Sequence, residues 1–453
     1  MVEERIYDVV IIGGGVAGAI AAIAAARAGV DTLLVEEQAF LGGTLTSMGV
    51  GPMMSFHNDD GEQMVKGIPD ELIERLKLKN GSPGHIPDTT TYCSTVTPFD
   101  SELLKIELET MLTEAGGQVL FHTQLAEVNA SASHIESVTV CNKGGLSTIR
   151  AKVFIDATGD GDLAMRAAVP FAHGREQDNA TQPMTMNLKL ANINTEAIRQ
   201  YAISHPDNFL WANGKEEGLR RLQLGTGISL AGFLSEWKQA VKDGIITIPR
   251  DQVLLFETAN PGVVIVNTSR ILGLNPTNPH DLSKAEIIGR QQCYELFNFL
   301  RDRCIGFGSA VRMDTAAKVG VRESRHIRGL YTLSAEDLLT CKKFDDCIAC
   351  GGYPIDVHSP DGNKTITQRV PSYQIPLRSL LTAKPENLVV VGRCVSATHE
   401  AAAAIRVTPI VMAIGQAGGT VAAEALHYDN RPASVPAKIV QSLLLDQGAY
   451  LAN

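Results

Sequence analysis

YDVVIIGGGVAGAIAAIAAARAGVDTLLVEE, residues 7–37, decides the fold. Tyr7 to Ile12 is a short β-branched run, the kind that is buried on both faces of a parallel sheet. Gly13-Gly14-Gly15-Val16-Ala17-Gly18 follows at once, then a helix-like stretch from Ala19 to Ala28 that ends at Gly29. Thr32 to Val35 reads as a second strand with Glu36 at its end. Each piece has a physical task. Gly13 permits a tight turn, Gly15 lets the backbone approach a pyrophosphate, and Gly18 lets the helix pack closely on the strand. The helix start at Val16 and Ala17 offers free N–H groups and a partial positive charge to phosphates. Glu36 is placed to accept hydrogen bonds from both hydroxyls of an adenosine ribose, and an acid there disfavours a 2′-phosphate. A glycine-rich turn without a ligand explains one of these pieces. Strand, turn, helix, strand and terminal acid in order predict an α/β chain that opens with a Rossmann-like dinucleotide-binding unit.

Three later segments extend the pattern. Phe40-Leu41-Gly42-Gly43-Thr44 places a Gly-Gly pair soon after Glu36 and Glu37, again suited to close backbone approach. Val153-Phe154-Ile155-Asp156-Ala157-Thr158-Gly159 is an apolar strand running into a sharp turn, and Asp160 or Asp162 is placed to cap the helix after it. Leu388-Val389-Val390-Val391-Gly392-Arg393 is a buried strand ending at glycine, and a helix-like stretch from Pro409 to Leu426 follows, containing Gly415, Gln416 and Ala417. With DATGDGDLA (156–164), GVRESRHIRG (320–329), YPIDVH (353–358) and GRCVSATHEAAAAIRV (392–407), the chain resembles the FAD-dependent oxidoreductase family of the glutathione-reductase-like superfamily. The motifs run from residue 7 to about residue 426. The resemblance implies an FAD cradle of Gly13, Gly15, Val16, Ala17, Gly18, Glu36, Glu37, Gly42, Gly43, Thr44, Leu125, Ala157, Thr158, Gly159, Gly392, Arg393, Cys394, Gly415, Gln416 and Ala417. It also implies that the late helix points its N-terminus at the flavin, where it stabilises negative charge on the reduced ring. The superfamily often has an acid after the late-strand glycine, and here Arg393 stands in that place. No second GxGxxG opens an internal nicotinamide-binding unit.

The expected organisation is discontinuous. Residues 1–165 form the first part of the FAD domain, with loop excursions over 56–98. An inserted α+β substrate domain spans 166–384, the return strand and helix occupy 385–430, and a C-terminal extension covers 431–453. Strands are expected near 118–121, 135–141, 148–155, 184–190 and 263–267, and helices over 101–115, 230–243 and 284–301. The 453 residues are 44% hydrophobic and 20% charged, the balance of an ordinary globular chain. A net charge of −10 argues against nucleic acid or an anionic membrane as partner. The start lacks the marks of a signal peptide, so a cytoplasmic protein with reduced cysteines is expected, free to form a homo-oligomer.

Among candidate chemical groups, His399 follows a strand that ends at the cofactor, and its ordinary pKa suits proton transfer; a histidine that only hydrogen-bonds FAD is the alternative. Arg406 lies seven residues on, two helical turns, and suits a substrate carboxylate, the flavin anion or a structural ion pair. Arg322 lies in a charge-rich segment with Arg325, where an interdomain ion-pair network competes with an active-site role. Asp356 and His358 alternate onto one strand face and can share a polar pocket. Cys394 is open to covalent attachment of FAD, to thiol reactivity or to simple packing. Cys341, Cys347 and Cys350 lack a nearby fourth thiolate for an iron–sulfur cluster, so no metal is assigned. The expected function is hydride transfer between flavin N5 and a small organic substrate, neutral or anionic, with an electron acceptor that the sequence does not name. His399 or His358 would handle the proton and Arg406 or Arg322 would hold an anionic group. The alternatives are a folate- and FAD-dependent tRNA modifier, which needs a basic RNA-facing surface, and an iron–sulfur electron-transfer subunit, which needs the 341–350 thiols.

Overall fold

A computed structural model describes residues 5–362 and 364–452. Its opening strand, Ile6–Ile12, lies between two parallel neighbours, Thr32–Val35 and the second half of Gly145–Asp156. Gln118–Leu120 extends the sheet beyond Thr32–Val35, and Leu388–Val390 pairs in parallel with Phe154 to Asp156. The register aligns Ile12 with Val35 and with Asp156, and Asp156 with Val390. Four strands therefore end side by side, and in open α/β sheets ligands bind at such an edge. The first half of Gly145–Asp156 instead pairs antiparallel with Ile135–Asn142, which pairs with Gln124–Ala130.

Helix Val16–Arg27 is buried along its length except at Arg27. Alanines make that burial workable, because a second helix, Thr408–Glu424, presses against it. A Cβ on Gly415 would stand 2.2 Å from the Ala17 carbonyl oxygen, and one on Gly419 would stand 2.1 Å from that of Ala21. The stretch Thr408–His427 is long and apolar enough to cross a membrane, yet 83% of an 18-residue apolar window within it is buried inside the protein.

A second core surrounds a six-stranded antiparallel sheet in the order Phe209–Leu210, Ser229–Gly232, Val253–Glu257, Val264–Val266, Leu188–Ala191 and Val311–Thr315. Helix Pro279–Arg303 buries Leu296, Phe299 and Leu300 in it.

Four expectations need correction. Residues 56–98 are not all loop: Ile68–Leu78 is a helix, and Met53–Met54, Thr95–Thr97 and Ile86–Pro87 form a small sheet. Ile68, Leu72, Ile73 and Leu76 supply its buried face, a pattern that the surrounding Pro, Gly and Thr obscure. The helix expected at 230–243 divides, because the buried strand Ser229–Gly232 precedes the helix Leu234–Lys242, with Phe233 turning between them at φ +59°. Neither Asp160 nor Asp162 caps the short helix Asp162–Arg166. The cap position is Gly161, while Thr158 Oγ1 accepts from Asp162 N and Asp156 accepts from Ala164 N. Finally, 384 is not where the cores divide. Residues from Leu333 to Leu381, including the strand pair Cys347–Gly351 and Tyr373–Pro376, pack into the first core, as does the C-terminal helix Ala437–Asp446 through Val440 and Leu444.

Candidate functional site

A cavity of about 1260 Å³ runs from the aligned strand ends to the inner face of the second sheet. It exceeds the roughly 300–1,000 Å³ of an ordinary small-molecule site, enough for an extended cofactor and a second molecule. Gly13, Gly15, Val16, Ala17, Glu36, Glu37, Gly43, Thr44, Leu125, Ala157, Thr158, Gly159, Gly392 and Arg393 all line it. Gly13 has φ +102°, and a Cβ there would stand 2.5 Å from the Ala157 carbonyl oxygen, so the turn requires glycine. A Cβ on Gly15 would meet nothing within 4 Å, because it would project into the cavity. Gly18 does not line the cavity. A Cβ there would lie 1.9 Å from the Gly13 carbonyl oxygen, the close helix packing expected of it. Gly42 also stands behind the wall, donating its N–H to Gly14 O at 2.9 Å, and Gly43 packs against Gly15.

Helix Val16–Arg27 starts with no side-chain cap and no acid in its first turn, so its positive end faces the cavity uncompensated. The Glu36 carboxylate accepts from Gly14 N at 2.5 Å and Gln38 N at 2.7 Å. Burial raises its pKa, partly opposed by those two bonds. An acid also reaches the wall near Arg393. Asp160 pairs with the Arg393 guanidinium at 2.8 Å, which with Ser324 outweighs burial and keeps it ionised. The sequence pattern looked for that acid after Gly392 and found it missing.

Five more expected site residues lie away from the cavity. Cys394 is fully buried in the core behind the sheet, its thiol facing Val391 O at 3.7 Å, and burial pushes its pKa up. Gly415 and Ala417 sit inside the helix packing, and Gln416 accepts from Ile68 N at 3.1 Å while donating to Gln447 at 2.9 Å. The helix meets the cavity one to two turns earlier, at Thr408 and Val411. His399 is buried at 7% exposure, with Nδ1 2.6 Å from Glu323 Oε1, and does not line the cavity. The same carboxylate oxygen lies 3.0 Å from His326 Nε2, and Oε2 accepts from Gln182 N. The segment 320–329 is thus partly the structural network that competed with an active-site role.

The other three chemical candidates converge. Arg322, Arg406 and His358 line the far end of the cavity with Asp356, Tyr353, Tyr92 and Arg250. Asp356 Oδ2 is 3.2 Å from His358 Nε2 and 3.6 Å from Arg406 Nη2, and Tyr353 donates its hydroxyl to it at 3.4 Å. Burial alone would raise the Asp356 carboxyl, but His358 and Arg406 outweigh it and hold it well below the usual range. Burial pushes the His358 imidazole down to about 3, with Arg322 and Arg406 adding to the effect against the pull of Asp356. His358 is therefore neutral at pH 7. Donation from Nε2 to the ionised Asp356 assigns the tautomer and leaves Nδ1 as an acceptor, facing Thr365 Oγ1 at 3.2 Å and Arg270 Nη1 at 3.5 Å. Arg250 and Tyr92 were missed because nothing in their local sequence marks them.

One consequence is measurable. The ordinary histidine value is 6.5, so between about pH 6.5 and 3 the unfolded chain holds the proton that folded His358 refuses. Stability that is complete above pH 6.5 is lost as the pH falls toward 3, by up to about 1.4 kcal/mol per pH unit. His57, pushed down by burial to about 4, acts in the same direction. His358→Asn should flatten the fall in urea midpoint between pH 6.5 and 4.5. An unchanged slope would show that the buried ring titrates normally.

Cys347 and Cys350 lie with sulfurs 3.9 Å apart on one strand. Among the described residues, no three or more His, Cys, Asp or Glu side chains converge to hold a metal ion.

The open space at Gly15, the uncapped helix end and the acid at the second strand fit FAD. A sequence profile for the family described as FAD dependent oxidoreductase matches residues 8–444. Digeranylgeranylglycerophospholipid reductase of Methanoculleus marisnigri is 28% identical over 234 residues, covering 49% of this chain and 56% of that one. Thiamine thiazole synthase of Methanococcus aeolicus is 31% identical over 163 residues, covering 34% and 54%. The chain spans about half the length of these curated relatives. A geranylgeranyl bacteriochlorophyll reductase-like protein from Thermoplasma acidophilum matches at 12% identity with a TM-score of 0.47, covering 98% of this chain and 84% of that one. The p-nitrophenol 4-monooxygenase from Pseudomonas putida matches at 10% identity with a TM-score of 0.49, covering 98% and 85%. With the profile matched over nearly its whole length, the chain belongs to the family of FAD dependent oxidoreductases.

Proposed function

We propose that the protein transfers a hydride between bound FAD and a small organic anion held at the far end of the cavity. The observation that carries this is the continuity of one cavity from the glycine turn to the Arg322, Arg406, Asp356 and His358 cluster. When bound, the flavin supplies two-electron redox chemistry at its ring. The chain's own groups do the rest. Arg406 and Arg322 hold the anionic group, and Asp356 anchors both Arg406 and His358. Neutral His358 takes the substrate proton at Nδ1, in place of its bond with the Thr365 hydroxyl, or returns it. An anion between the two arginines cancels part of what depresses His358, so substrate entry itself makes the ring more basic. Burial, the larger cause, remains. Leu254 and Phe256 give the substrate's apolar part a wall away from water.

The family and the reductase relatives support the oxidoreductase class alone. The test is an anaerobic screen in which small organic acids bleach the flavin absorbance of the purified protein. Bleaching by an acid, together with an Arg406→Met variant that needs a much higher concentration of the same acid, is the expected result. Bleaching by neutral compounds only, or an Arg406→Met variant with unchanged demand, would sink the proposal. A second expectation concerns attachment. Because the Cys394 thiol faces the core, acid precipitation should release all the flavin into the supernatant. A yellow pellet would contradict this.

A further inference from the structure

We infer that the far end of the cavity is a subsite for a small dianion, two negative charges carried on one short molecule. This rests on the reading of that end as the substrate pocket and specifies what it takes.

Charge is balanced near the glycine turn and unbalanced beyond it. At the cradle end every cavity-lining cation has a carboxylate: Arg393 pairs with Asp160 at 2.8 Å, Arg325 with Asp162 at 2.9 Å, Arg166 with Asp162 at 3.3 Å, and Lys318 with Glu37. The phosphates of FAD have the open end of helix Val16–Arg27 to meet them. At the far end Arg250, Arg322 and Arg406 share the wall with one buried carboxylate, Asp356. Neutral oxygens hold two of the three. Arg322 Nη1 donates to Pro183 O at 2.7 Å and Thr185 Oγ1 at 2.6 Å, and Arg250 Nη1 donates to Asn267 O at 3.3 Å. These bonds fix direction and leave the charges standing. A fourth guanidinium, buried Arg270, stands behind the wall with Nη1 3.5 Å from His358 Nδ1, and the exposed Asp251 acts on both it and Arg250. Four guanidinium groups against two carboxylates leave a surplus of two positive charges, with Lys364 exposed to solvent.

Two further observations agree. Arg406 Nε is buried without a hydrogen-bond partner, so this guanidinium is short of acceptors beyond the Asp356 carboxylate and carbonyl that Nη2 faces. Burial, with Arg406 and Arg250 adding, pushes the Arg322 guanidinium down to about 9, while burial and Arg270 push Arg250 down to about 10. Like charges are held together there against their own repulsion. A monoanion would leave one of the surplus charges unmet, and a dianion meets both.

Calorimetric titration of the holoenzyme with succinate, butyrate, succinamide and inorganic phosphate tests this. Succinate or phosphate should bind at least about tenfold tighter than butyrate, with succinamide weakest. Tighter phosphate points to a phosphorylated substrate and tighter succinate to a dicarboxylate, and either supports a dianion site. Butyrate equal to both would overturn it, as would no binding by either dianion. The wild-type series decides without a variant. Arg250→Gln should then erase the preference over butyrate while Arg250→Lys keeps it, and the reverse would also overturn the assignment. The flavin absorbance of each sample separates the two proposals. A fully yellow enzyme without dianion preference defeats this inference and leaves hydride transfer standing, whereas a colourless protein that still prefers dianions defeats the redox proposal alone.

Discussion

Gly15→Val is expected to give a folded but colourless protein, with retained FAD below about a tenth of the wild-type level, a loss of at least about 1.4 kcal/mol in affinity. Gly15 has φ −58° and ψ 172°, a backbone conformation open to any residue. A Cβ there meets no atom of the protein within 4 Å. The backbone and the space beside it therefore admit a side chain. What valine fills is the space where backbone and pyrophosphate must approach each other at the open helix end. Gly13 cannot serve for this test, because its φ of +102° and the 2.5 Å approach of the Ala157 oxygen make any side chain a folding defect. The measurement is flavin absorbance per protein, with circular dichroism and the urea midpoint of the two apoproteins as the folding control. Wild-type colour in Gly15→Val would mean that the cofactor lies elsewhere. An apoprotein with a collapsed midpoint would mean that the glycine is structural.

The cradle was legible because its residues answer local backbone demands. Gly13, Gly15 and Gly18 each do what a turn and helix start require within a dozen residues, and Glu36 ends the next strand. The far wall was legible only in pieces. Alternation along Tyr353 to His358 puts Asp356 and His358 on one face, but nothing local says that Arg322 and Arg406 meet them. Arg250 lies in an irregular stretch after Pro249 and reaches the cavity only because the strand beginning at Val253 pairs with Ser229–Gly232 and Val264–Val266. His399 shows the opposite failure. It has the right position after the right strand, yet Glu323, 76 residues away in sequence, captures it. Partners supplied by distant segments decide whether a titratable side chain is free to act, and periodicity does not encode them.

The late helix carries the other large effect. Gly415 matches the family's cofactor-approaching segment in sequence, yet its α-carbon faces the Ala17 carbonyl, where a Cβ would stand at 2.2 Å. Both atoms involved belong to backbones of tightly packed helices, so no side chain can rotate away and one helix must move. Gly415→Val is therefore expected to destabilise the protein by about 3 kcal/mol or more, the upper range for overpacking, and Gly415→Ala by about 1–3 kcal/mol. The sign of the cofactor effect separates packing from contact. If glycine is needed for helix docking, Gly415→Ala lowers the urea midpoint of apoprotein and holoenzyme alike, and FAD affinity changes only as far as the displaced helix start at Thr408 shifts. If it were needed to admit FAD, the apoprotein midpoint would stay at its wild-type value and flavin alone would be lost, as for Gly15→Val. The two glycines thus make opposite pairs of results from the same substitution chemistry, because one faces a cavity and the other a carbonyl oxygen.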